Sequence, residues 1–71
     1  MRLKISDRFK LPKDRKDYGK PITFEVIRQN TDTSVCVDVR ELEAANRTQE
    51  FFSETNLDAY DLLGRLEMVK Q

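Results

Sequence analysis

Three stretches of this chain alternate apolar and polar side chains at a period of two, and that alternation constrains the fold more than any other feature. In "RLKISDRFKL" the apolar positions are Leu3, Ile5, Phe9 and Leu11, with Lys4, Ser6, Arg8 and Lys10 between them. "PITFEVIRQ" places Ile22, Phe24 and Val26 on one side, and "SVCVDV" does the same with Val35, Val37 and Val39. A period of two puts alternate residues on one face of a strand, so each stretch predicts a strand with one face in the core. Asp7 falls on the apolar face of the first, which predicts a bulge there or two short strands.

The residues between the second and third stretches, "QNTDTS", favour turns because their side chains hydrogen-bond their own backbone. Those two strands are therefore expected to pair as an antiparallel hairpin. "PKDRKDYGKP", residues 12–21, is expected to connect the first strand to the second, since Pro12 and Pro21 cannot donate to a ladder.

From Asp38 the period changes. "DVRE" has the form of a capping box, Asp38 with Glu41, and the following residues place Leu42, Ala45, Gln49 and Phe52 on one helical face. Phe51 points elsewhere on that geometry. A second box, Thr55 with Asp58, opens "TNLDAYDLLGRLEMVKQ", read as a helix with a main stripe of Ala59, Leu62, Leu63, Leu66 and Val69. A narrower stripe runs Leu57, Tyr60, Gly64, Met68, with Gly64 read as a place where another backbone approaches.

These readings predict an α+β domain: a small antiparallel sheet of about three strands in β-β-β-α-α order, with two C-terminal helices packed on one face. At 71 residues the chain is one domain, 1–71, strand-rich and basic over 1–39, helical and acidic over 40–71. A chain of this size buries only about 60% of its unfolded surface, so its core is small. Its net charge of zero hides a polarity. Residues 1–20 carry eight Lys/Arg against three Asp, net +5, and residues 21–71 carry five basic against ten acidic side chains, net −5. Such a split marks a basic arm for nucleic acid, an acidic face for a basic partner, or two halves that attract each other within the fold.

The chemistry available is narrow. The sequence has no histidine, which removes the commonest general base and metal ligand, and its one cysteine, Cys36, excludes an internal disulfide. Carboxylates such as Asp58, Asp61, Glu41 and Glu43 read as solvated helix faces rather than a metal or catalytic cluster. No phosphate-cradling glycine loop is present, since Gly19 and Gly64 are the only glycines. No enzyme activity, cofactor or metal is expected. The opening residues lack a signal-peptide core, and no apolar run has spanning length, so a cytoplasmic protein with no membrane contact is expected.

Two surfaces remain. Phe51, Leu57, Tyr60, Gly64 and Met68 are expected to bind another protein, or a second copy as a homodimer through the C-terminal helix. This favours a small interaction module, an adaptor, inhibitor or regulatory subunit that acts by occupying a surface. The alternative is nucleic-acid binding through Arg8, Lys10, Lys13, Arg15, Lys16, Tyr18 and Lys20, the bases supplying phosphate contacts and the tyrosine a stacking platform.

Overall fold

The computed structural model describes residues 3–30, 36–41 and 49–70, with residues 30 and 36–40 described by their backbone alone. Among these, the strands are β1 (Arg8–Lys10), β2 (Lys16–Asp17), β3 (Lys20–Pro21), β4 (Thr23–Asn30), β5 (Cys36–Glu41) and β6 (Gln49–Ser53). Helix α1 (Glu54–Leu62) and strand β7 (Glu67–Val69) follow. Five strands form one antiparallel sheet in the order β6-β5-β4-β1-β7, and β2 and β3 form a separate hairpin.

The sheet is built from the expected alternation. Phe9 of β1 pairs with Phe24 of β4, Arg8 with Glu25 and Lys10 with Thr23, so apolar side chains share one face. β4 and β5 pair antiparallel, as the turn-rich segment between them predicts, with a register shift between Val26 and Arg28. The bulge is therefore in β4. Asp7 occupies a turn instead: its backbone N–H donates to the Lys4 carbonyl (3.0 Å) and its Oδ2 accepts from the Lys4 N–H (2.8 Å), with Ser6 at φ +81°. That turn carries Ile5 out of the strand pattern and into solvent.

Leu3, Phe9, Leu11, Ile22, Phe24, Val26 and Leu57 are buried and form the core, with Phe52, Tyr60 and Leu66 packed against it. Phe9 and Phe24 stack at 5.3 Å between centroids, and Phe52 meets them edge-on at 6.0 and 5.3 Å. Each such pair adds about 0.5–1.5 kcal/mol beyond the area it buries. In a core this small, removing one of these rings costs about 3–5 kcal/mol, a large share of a small domain's stability.

The second half corrects the sequence reading, and the β-β-β-α-α order is overturned. Asp38 and Glu41 lie in β5 rather than in a capping box. Gln49 and Phe52, placed above on the face of a first helix, lie instead in β6, which pairs with β5 from Arg40↔Gln49 to Cys36↔Ser53. Leu42 and Ala45 lie outside the described residues. The physical reason is that Glu50 and Phe52, two residues apart, share the inward face of β6 against Arg15 and the Phe9–Phe24 pair, and its aromatic residues suit a pleated surface beside β5.

The remaining helix is short. α1 runs for nine residues, with Ser53 as N-cap in extended conformation and no side-chain cap bond, so Thr55 is inside the helix rather than capping it. It ends at Gly64. The Gly64 N–H donates to the Asp61 carbonyl (3.0 Å) and the Arg65 N–H to the Tyr60 carbonyl (2.8 Å), with Gly64 at φ +71°. This is a Schellman closure, in which a left-handed residue satisfies the last carbonyls, and glycine takes that conformation without a Cβ penalty. Residues beyond it turn back and pair with β1 as β7, Met68 opposite Phe9.

Candidate functional site

Residues 11–21 form an ordered turn and hairpin. The Asp14 and Arg15 amides both donate to the Leu11 carbonyl, at 3.0 and 2.9 Å, which closes a turn after Pro12. β2 and β3 then pair through Lys16↔Pro21 and Asp17↔Lys20, so Tyr18 and Gly19 form a two-residue tip. Their φ values are +49° and +79°, the sign that a type I′ hairpin requires at both central positions. Glycine suits this; tyrosine does not. Tyr18 nonetheless stands 99% exposed, and Lys16 and Lys20 on the paired strands are also exposed. A shallow cleft of about 250 Å³ lies beside it, lined by Asp17, Tyr18, Lys20, Pro21 and Ile22.

Arg15 leaves this basic set. Its guanidinium lies over the rings of Phe24 and Phe52, 5.3 and 5.8 Å from their centroids. It forks onto Glu50, with Nη1 donating to Oε2 and Nη2 to Oε1 (2.6 Å), and Nη2 also donates to Glu41 (3.3 Å). The hydrogen bond to Glu50 raises Arg15 above its ordinary value against an opposing effect of burial. The same bond from Arg15 holds the Glu50 carboxyl below the usual glutamate range, again against burial.

Arg8 is similarly engaged, its Nε donating to Glu25 at 3.2 Å. Lys10 is half-buried between Thr23 and Glu67 in the register. Of the seven residues expected to meet nucleic acid, Lys13, Lys16, Tyr18 and Lys20 therefore stand exposed within the 11–21 segment. Asp14, which the sequence presents as partly neutralising that loop, is instead gripped by Arg65 through Nη2–Oδ1 (2.6 Å) and Nε–Oδ2 (3.1 Å).

The expected protein-binding stripe is dispersed, because the helix that carries Leu57 and Tyr60 ends at Leu62, before Gly64 and Met68. Leu57 is fully buried in the core and Tyr60 half-buried against it. Gly64 caps the helix, and among the described residues a Cβ there would meet nothing within 4 Å, so no described backbone approaches it. Phe51 (58% exposed) sits on β6 and Met68 (47% exposed) on β7, at opposite edges of the sheet. A homodimer seam along the C-terminal helix thus loses its geometric basis.

Leu62 and Leu63 depart from the expected pattern as well. They were expected on the buried stripe, yet they stand 89% and 68% exposed at the end of α1. The Schellman closure fixes their backbone, and the Arg65–Asp14 fork ties the turn after them to the loop that leads into the β2–β3 hairpin. Sequence reading missed Leu62, Leu63, Glu50 and Arg65. The available signal was Gly64-Arg65, which reads equally as a helix stop.

Among the described residues, no three metal-ligating side chains stand together. Glu41 is held by Arg15, Asp58 and Asp61 occupy exposed positions on α1, and Glu43 lies outside the described residues. No described helix is long and apolar enough to cross a membrane. Comparison with protein-family models, curated proteins and solved structures finds no match.

Proposed function

We propose that this protein is a small non-enzymatic interaction module, an adaptor, inhibitor or regulatory subunit that occupies a surface of another cytoplasmic protein. The observation that carries the reading is the adjacent pair Leu62 and Leu63, held exposed on an ordered helix end. Among the described residues six large apolar side chains are exposed while seven form the core. A chain so short of core residues gains nothing in folding from two exposed leucines, and a rigidly mounted apolar pair suits a partner's pocket because little ordering entropy is lost on binding.

The test is the double variant Leu62→Glu, Leu63→Glu, compared with the unaltered protein by affinity capture from native cells and by thermal unfolding. The reading expects an unchanged melting temperature and loss of the captured partner. A partner retained in full by the variant overturns it.

Tyr18 favours a second reading. An aromatic ring at a strained, fully exposed hairpin tip, in a segment that also exposes Lys13, Lys16 and Lys20, suits stacking on an unpaired base with phosphate contacts from the lysines. With three lysines on phosphates, log–log salt dependence of binding to duplex has a slope of about −2.7. Fluorescence anisotropy with a labelled duplex and a labelled single strand measures it, and no binding at low salt removes this reading.

A further inference from the structure

We infer that β6 is a self-association edge, along which two copies of this chain pair their β6 strands antiparallel about a two-fold axis at Phe51. This inference stands apart from the Leu62–Leu63 surface and rests on different residues.

β6 ends the five-stranded sheet, and among the described residues no strand pairs with its outer side. Sheet edges are normally guarded by lysine, proline, bulges, short length or an inward charge. β7, at the other edge, follows that rule: it is three residues long, contains Glu67 and is followed by Lys70. β6 does not. Its five residues, "QEFFS", contain no lysine, arginine or proline, and its register with β5 runs without a shift. Its one charge, Glu50, would serve as the guard, but both its oxygens are taken by the Arg15 fork.

The sequence of β6 then selects its own occupant. Antiparallel pairing centred on Phe51 places Phe51 opposite Phe51 of the second copy, Glu50 opposite Phe52, and Gln49 opposite Ser53. No like charges meet, and an aromatic pair lies at the axis, which is a favourable cross-strand pairing. Moving the centre by one residue to Glu50 would set two carboxylates face to face. A two-fold strand pairing is isologous, so it closes as a dimer rather than growing into a fibre. Five residues a side is well below the roughly 20 of a standard interface, so the dimer is weak, with a dissociation constant on the order of tens of micromolar.

Sedimentation velocity of the full chain over about 1 to 500 µM spans that range. The expected result is a monomer at the low end that becomes a dimer at the high end. Phe51→Lys, which restores an edge guard at an exposed position, abolishes the dimer with unchanged melting temperature, and Met68→Lys on the opposite edge leaves it intact. Register is read by disulfide formation in a Cys36→Ser background. Phe51→Cys gives a rapid covalent dimer and Gln49→Cys a slow one, because only position 51 meets itself. A chain monomeric throughout, a dimer that survives Phe51→Lys, or equal cross-linking at 49 and 51 overturns the inference. Loss of the dimer in Phe51→Lys with partner capture retained separates this edge from the leucine pair.

Discussion

Tyr18 is a residue placed against its own backbone preference. At φ +49° a bulky side chain is strained, whereas asparagine takes the left-handed region readily. Tyr18→Asn is therefore expected to raise stability by about 0.5–1 kcal/mol, which for a domain of this size lifts the melting temperature by roughly 2–8 °C. Thermal unfolding followed by circular dichroism measures it, and a fall in melting temperature would mean that the ring contributes packing. The same variant removes the stacking platform, so a gain in stability with a loss of single-strand binding would support the nucleic-acid reading. The sequence shows the tip only faintly: β2 and β3 have two residues each, too few for any alternation to register.

For the elements, Gly64 is where two readings predict opposite signs. Inside a helix, glycine to alanine stabilises by about 1 kcal/mol. At the φ +71° cap observed here, Gly64→Ala is expected to destabilise by about 1 kcal/mol, although there is open space for the methyl group. Chemical denaturation of the two proteins decides between them. The helix reading was persuasive because Leu62, Leu63, Leu66 and Val69 keep helical spacing on both sides of Gly64. A strand of three residues, "EMV", offers only one alternation against that longer pattern. β6 was misread likewise, since Gln49 and Phe52 fit a helical face as well as Glu50 and Phe52 fit a strand face.

Across the whole molecule, part of the charge split between the two halves is spent inside the fold. Arg8–Glu25, Arg15–Glu41 and Arg15–Glu50 each run from the basic first 20 residues to the acidic remainder. Arg15 joins the 11–21 loop to β5, to β6 and to the aromatic cluster at once. The Glu50 carboxyl titrates below its ordinary 4.5, so its ion pair contributes stability that is fully present above that pH and is lost as pH falls through the lower folded value. Glu50→Gln is expected to flatten the acid side of the stability profile, shown by denaturant midpoints between about pH 2 and 7. A variant as acid-sensitive as the original protein would place the acid response elsewhere. If β6 is a dimer edge, the variant also leaves that edge without a charge when Arg15 moves away.

Period-two patterning by itself determined the central strands and most of the core. Phe9, Leu11, Ile22, Phe24 and Val26 are all read correctly as inward residues, because alternation is a local property that one buried face enforces. Tertiary structure decided the rest. Whether "QEFFS" and "EMV" become helix or strand depends on the free edges that β5 and β1 offer, and Arg15's role depends on two glutamates 26 and 35 residues away. Those are non-local pairings, and their energies outweigh the small propensity differences that a short segment carries in its own sequence.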